Sequence, residues 1–135
     1  MPIVKVGDID IYYEIYGEGD PLLLIMGLGG ASTMWWLQVA SFSQEYKVVV
    51  FDSRGVGRTD KPDMPYSMAM LADDAAGLLD ALGIPSAHVY GLSLGGMVAQ
   101  ELALRYPQKV MNLILGATSC GGAHAVAPSP DTVQK

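Results

Sequence analysis

The chain has 135 residues, half of them hydrophobic, and 14 acidic against 8 basic side chains give a formal charge of −6, so one domain with a sizeable core is expected. That acidic balance leaves no basic surface to neutralise phosphates, which excludes nucleic acid and anionic membranes as expected partners and favours a small uncharged molecule. A single cysteine, Cys120, no secretion-type opening and no apolar run near the ~20 residues that cross a bilayer predict a soluble, cytoplasmic protein.

The opening IVKVGDIDIYYEIYGEGDP reads as two antiparallel strands joined at Gly7-Asp8, with apolar and polar residues partly alternating. PLLLIMGLGG is an unbroken apolar run ending in glycines, as expected of a strand covered on both faces. Ser32 or Thr33 is positioned to cap a helix through roughly Tyr46, and KVVVFD is a second buried strand. The glycines and prolines of SRGVGRTDKPDMPY mark a long loop. Ser67 caps the next helix, whose apolar Leu71, Ala75, Leu78, Leu79 and Leu82 keep helical spacing with Asp73, Asp74 and Asp80 largely elsewhere. AHVYG is a strand and Leu94 to Tyr106 a helix, apolar on nearly all sides and so expected to be well buried. VMNLILGA is a last strand, beyond which Gly, Ala, Ser and Pro dominate.

Strands alternating with helices predict a mostly parallel sheet with helices on both faces, and ligands bind such sheets in the loops at the carboxyl ends of the strands. In VYGLSLGGMVAQE, Ser93 stands between glycines, after a strand and before a helix. G-L-S-L-G fits the G-x-S-x-G nucleophile elbow in the strand–turn–helix context that the motif requires. Gly91, Gly95 and Gly96 permit the turn, and the positive end of the following helix points at the serine. The competing reading is a tight turn in which Ser93 only caps the helix.

The stretches PLLLIMGLGG, FDSRGVGRTDKP, LLDALGIPSAHVYGLSLGGMVAQELALRYP and VMNLILGATSCGG together resemble the amino-terminal half of an α/β-hydrolase-fold serine hydrolase, of the esterase and 3-oxoadipate enol-lactonase-like kind. The resemblance implies a partial hydrolase core over residues 1–117, with the antiparallel hairpin at its start, and over 118–135 a Gly/Ala/Pro-rich tail like the start of the family's cap segment. It implies that Ser93 attacks an acyl carbonyl while the backbone N–H groups of Leu94 and Leu28 receive the oxyanion. Fixed donors of this kind are each worth ~3 kcal/mol of transition-state stabilisation. Gly27, Met26 and Trp35 are the candidate substrate contacts, Met26 standing where many family members carry histidine. Asp52 and Arg54, in the loop after KVVVF, are expected to shape that loop and not to catalyse. Neither cofactor nor metal is implied.

A nucleophilic serine needs a base and an orienting acid, in this fold in the order serine, acid, histidine. Only two histidines are present. His88 begins the strand leading to the elbow, far from Ser93, and His124 lies in CGGAHAVAPSP, a poor frame for a base; Asp131 is the acid candidate beside it. The resemblance implies that the triad's acid and histidine belong to a second half of the fold. Hydrolysis of an ester or lactone by these residues alone is therefore expected to be weak or absent, and the exposed last strand is expected to recruit either another copy or a complementing carboxyl-terminal half. Two other readings stay open. LLLIMGLGGAS followed by a strand ending in Asp52 resembles a dinucleotide-binding unit with Ser32 for its third glycine, and a hydrolase scaffold also serves non-catalytic binding modules.

Overall fold

The computed structural model describes residues 3–26, 35–54, 57, 59 and 67–116. Six strands form one sheet in the order β1-β2-β4-β3-β5-β6: β1 (Ile3–Val6), β2 (Ile9–Tyr16), β3 (Asp20–Ile25), β4 (Tyr46–Phe51), β5 (Ala87–Leu92) and β6 (Val110–Gly116). The pairs β1–β2 and β2–β4 are antiparallel, whereas β3–β4, β3–β5 and β5–β6 are parallel. The alternating, half-polar sequence at the start thus makes the antiparallel edge, and the continuous apolar runs LLLI and VVVF make the buried parallel centre, as the sequence pattern predicts.

Helices α2 (Met68–Ala81) and α3 (Leu94–Arg105) cover one face of the sheet and α1 (Trp36–Phe42) the other. The larger core lies under α2 and α3: Leu23, Ile25, Val49, Phe51 and Val89 from the sheet meet Ala75, Leu78, Leu79, Val98, Ala99 and Leu102. The smaller core, Leu22, Leu24, Val48 and Val50 with Trp35, lies on the opposite face. Alternate residues of β3 and β4 therefore feed two cores at once. Ser67 caps α2 by accepting a hydrogen bond from the Met70 N–H at 3.1 Å, and Gly83 ends the helix in the left-handed region at φ +71°.

Three expectations require correction. Helix α1 ends at Phe42, not near Tyr46, because the Ser43 and Glu45 N–H groups close a turn on Val39 and Phe42 and Tyr46 already pairs with Asp20 in the sheet. Its proposed caps, Ser32 and Thr33, lie outside the described residues. On α3, burial is confined to Gly95, Gly96, Val98, Ala99 and Leu102, and Leu104 is 79 % exposed because it faces away from sheet and α2. Lastly, Asp74 is buried and not on the solvent side of α2.

Asp74 is buried because Arg54 is buried with it. The guanidinium donates from Nε and Nη2 to the two carboxylate oxygens, both at 2.9 Å, and Nη2 also reaches Asp8 Oδ1 at 3.1 Å. Such a bidentate pair fixes geometry as well as charge. It ties the loop after β4 to α2 and to the β1–β2 turn. The hydrogen bonds that Arg54 donates to Asp74 raise its pKa above the ordinary value despite the opposing effect of burial. Arg54 in turn holds the Asp8 carboxyl below the usual carboxylate range, chiefly through its hydrogen bond.

Removing one member of a buried pair strands the other charge. Asp74→Ala should lower stability by about 3 kcal/mol or more, read as a drop in the urea midpoint. Asp8 is solvent-exposed, and its lowered pKa means that its contribution is complete above about pH 4 and disappears as the pH falls further. Asp8→Asn should therefore lower the urea midpoint slightly at pH 7 and leave it unchanged in strong acid, which flattens the acid limb of the stability profile. An unchanged acid limb would show that Arg54 takes nothing from Asp8.

Candidate active site

The parallel strands align their carboxyl ends. Ile25 of β3 pairs with Gly91 of β5, and Leu92 of β5 pairs with Gly116 of β6. These carboxyl ends lie along one edge of the sheet, and Ser93 stands there as the single residue between β5 and α3. It is exposed. Its backbone has φ +56° and ψ −121°, and among the described residues it is the one non-glycine with positive φ. A conformation of this sort costs of order 1–3 kcal/mol and persists only where the surroundings over-determine it.

Those surroundings are visible. The Ser93 N–H donates to the Gly116 carbonyl at 2.9 Å, and the Ser93 carbonyl accepts from the Gly96 N–H at 2.9 Å. The amide is thereby pinned to the end of β6 and the carbonyl to the first turn of α3. Ser93 occupies the N-cap position of α3 without making a side-chain cap hydrogen bond, which removes the reading of it as merely a cap.

The elbow glycines act by absence of bulk. None of Gly91, Gly95 or Gly96 has positive φ, so the unusual angle that the turn demands falls on the serine itself. A Cβ on Gly95 would collide with the carbonyl oxygens of Ile25 and Met26, the latter at 2.6 Å, and one on Gly91 would collide with Gly96 Cα at 2.7 Å and Ala99 Cβ at 2.8 Å. The first turn of α3 therefore rests directly on the carboxyl end of β3. Leu94, as the first residue of α3, carries an N–H with no intrahelical acceptor available to it. The contact of Gly95 with Met26 sets that donor beside the carboxyl end of β3.

The other candidates separate. Met26 is half-buried at the end of β3, packed on the smaller core. Trp35 is corrected from substrate contact to core residue: it is 1 % exposed and meets the Tyr90 ring edge-on at 5.8 Å, and so enclosed a ring has no surface to offer a ligand. Gly27, Leu28, His124 and Asp131 lie outside the described residues. His88 is the second residue of β5, five positions before Ser93 and thus about 16 Å away along the strand. Its Nδ1 is 3.0 Å from the Asn112 amide and its Nε2 3.7 Å from Asp20. Asp52 and Thr59 shape the loop after β4: the Thr59 hydroxyl donates to the Asp52 carbonyl at 2.5 Å and accepts from the Tyr12 N–H at 2.9 Å.

Residues 20–134 match the α/β hydrolase fold family. The chain belongs to that family. It is 40 % identical over 115 residues to the "Putative carbamate hydrolase RutD" of Azorhizobium caulinodans, covering 85 % of this chain and 43 % of that protein. It is 36 % identical over 114 residues to the 3-oxoadipate enol-lactonase 2 of Acinetobacter baylyi, covering 83 % and 43 % respectively. Among solved structures it is similar to Est816, described as an N-acyl homoserine lactone degrading enzyme, with a TM-score of 0.83, 38 % identity and coverage of 87 % of this chain and 45 % of that one. The chain thus spans a little under half the length of these hydrolases. The dinucleotide-binding alternative needs a different sheet, in which LLLIMG begins the fold; here the hairpin precedes it and pairs through β2 with β4.

The family's elbow explains what the local geometry predicts under mutation. Ser93→Gly should raise stability by about 1 kcal/mol, because glycine adopts positive φ without strain, whereas Ser93→Ala should not. Gly95→Ala should cost about 2 kcal/mol or more through collision with two carbonyl groups that have no slack. Urea midpoints of the three variants check both statements. A Ser93→Gly variant no more stable than Ser93→Ala would mean that the elbow stores no strain.

Proposed function

We propose that Ser93 is the nucleophile of a serine hydrolase acting on carboxylic esters or lactones through an acyl-enzyme. The observation that carries this reading is the exposed Ser93 held at φ +56° by bonds to Gly116 and Gly96. A non-catalytic scaffold has no need to maintain a strained serine at the mouth of a ligand-binding sheet edge.

In the reading, the Ser93 oxygen attacks the acyl carbon as a base removes its proton, and the carbonyl electrons move to oxygen. The N–H groups of Leu94 and Leu28 donate to that oxyanion. Collapse of the intermediate breaks the bond to the alkoxy or lactone ring oxygen, which takes the proton from the base. Water, deprotonated by the same base, then attacks the acyl-enzyme, and the carboxylic acid leaves as Ser93 regains its proton. Met26 and Gly27 contribute to the acyl pocket. The position of His88 at the far end of β5 argues against it as the base; His124 is the in-chain candidate, and the favoured source of histidine and acid is a second half of the fold. A cytoplasmic setting belongs to the same reading.

A carbamate is the second substrate class, favoured by the 40 % identity to the "Putative carbamate hydrolase RutD". The same serine and donors serve it, since the carbonyl carbon is again the point of attack.

Hydrolysis of a small aryl ester tests the reading. The 135-residue chain alone should turn over no faster than its Ser93→Ala variant within about 10-fold, since a triad without its base loses several orders of magnitude. The chain completed by a second half should show turnover that falls about 10⁴-fold or more in Ser93→Ala. Activity of the completed enzyme that survives Ser93→Ala overturns the assignment. Saturable hydrolysis by the chain alone, lost in Ser93→Ala and intact in His124→Ala, overturns the division between nucleophile and base.

A further inference from the structure

Tyr90 lies on β5 three residues before Ser93, beside Leu24 of β3 and Ile114 of β6. Its side chain is on the smaller-core face, where Trp35 meets the ring edge-on at 5.8 Å and Phe42 lies against it at 6.4 Å. Aromatic rings at these separations attract each other in angled arrangements, and Trp35, itself 1 % exposed, is enclosed by a close-packed core that leaves it no room to turn. The Tyr90 ring is thus held firmly from the side of α1.

The far end of the same side chain touches β6. A Cβ on Gly116 would stand 3.2 Å from the Tyr90 hydroxyl oxygen, 3.5 Å from Tyr90 Cε1 and 3.2 Å from Leu92 Cδ1. Gly116 has no positive φ, so what glycine supplies at this position is space for these two side chains. The Gly116 carbonyl accepts the Ser93 N–H at 2.9 Å. One line of contacts therefore runs from Trp35 and Phe42 through the Tyr90 ring to Gly116, and from Gly116 to the amide of the strained serine. Of the two side chains on Gly116, Leu92 ends in a methyl on rotatable bonds and can turn aside. The tyrosine hydroxyl is fixed to a rigid ring that Trp35 and Phe42 hold, and it cannot.

We propose that Tyr90 is a positioning residue for Ser93: its hydroxyl end is the stop against which the end of β6 rests, and that stop sets where the Gly116 carbonyl holds the Ser93 amide. Tyr90 acts through Gly116 and not on a substrate. The inference rests on the acyl-transfer reading only for its effect on rate; the contact itself does not use that reading. Phenylalanine at residue 90 leaves the stop short, and a methyl at residue 116 forces Tyr90 and Gly116 apart by a few tenths of an ångström. Made together, the two changes exchange a hydroxyl for a methyl in nearly the same space, so each undoes the other.

Hydrogen exchange of residues 1–135, resolved to single amides, tests this in Tyr90→Phe, Gly116→Ala and the double variant. Gly116→Ala should speed exchange of the Ser93 amide about 10-fold or more and Tyr90→Phe about 3-fold or more, while the Val49 and Val50 amides at the centre of the sheet change by less than about 2-fold. The double variant should return the Ser93 amide to within about 2-fold of the parent chain. A side chain that serves only the core would instead move the Ser93, Val49 and Val50 amides together and leave the two effects additive; that result overturns the proposal, as does a Ser93 amide unchanged in both single variants. In the chain completed by a second half, kcat for the aryl ester should follow the same order, falling in each single variant with KM held within about 2-fold and recovering in the double variant. A kcat indifferent to the state of the Ser93 amide overturns the positioning role. Activity retained in Ser93→Ala overturns the acyl-transfer reading instead, and the exchange results still decide the contact.

Discussion

The rest of the molecule depends on one steric contact: the first turn of α3 lies against the carboxyl end of β3, with Gly95 touching the Ile25 and Met26 carbonyls and Gly91 touching Gly96 and Ala99. A helix so close to the sheet leaves a single residue to turn from β5 into α3. One residue reverses the chain only with a backbone angle that L-amino acids avoid, so the strain at Ser93 follows from the closeness of packing. The hydrogen bonds that Ser93 donates to the Gly116 carbonyl and accepts from the Gly96 N–H then hold the angle in place. The same contact aims the amino terminus of α3 at the sheet edge where Ser93 stands.

A second constraint keeps the neighbouring loop in register. Arg54 leaves the end of β4 and is buried against Asp74 of α2, with Asp8 of the β1–β2 turn completing its hydrogen bonds. Three segments distant in sequence are thus joined by one guanidinium, and Thr59 adds a fourth tie through Tyr12 and Asp52. Arginine suits this place because its fork matches a carboxylate in two bonds and retains its charge when desolvated. The arrangement is a structural clamp at the rim of the site and takes no part in the chemistry proposed for Ser93.

Much of this was legible in the residues. LLLI and VVVF announce buried parallel strands, Ser67 and Gly83 bracket α2, and G-L-S-L-G in a strand–turn–helix frame marks the elbow. What was missed reflects interactions that periodicity does not carry. Asp74 lies three residues after Leu71 and four before Leu78, on the apolar stripe of α2, and an acid there signals a buried cation; reading aspartates as solvent-facing hid it. Leu104 misled in the opposite sense, since composition alone does not say which side of α3 meets the sheet. The motif offers the elbow glycines two roles, freedom of backbone angle and absence of bulk; none has positive φ, so the second is the one used, and which atoms fill the space appears only once β3 and α3 are placed together. Trp35 could be read equally as pocket wall or core, and its packing against Tyr90 decides for core.

The two faces of the sheet differ in a way that bears on how catalysis is divided. The α2–α3 face is closed by a long core that runs from Val6 to Val110, and it fixes β5, α3 and hence Ser93 without help. Among the described residues, the opposite face has one short helix and a groove, and β6 is open on both sides. A nucleophile and its oxyanion donors must be rigid relative to each other, because fixed dipoles stabilise charge only if they need no reorganisation; in the proposed reading Ser93 and the Leu94 N–H meet this through the packing of α3 on the closed face. The base that the proposed reading requires must instead meet the serine hydroxyl from across that edge. The hydrogen bond from Ser93 to Gly116 is therefore also a mechanical link: whatever covers β6 is coupled through the end of that strand to the backbone of the serine.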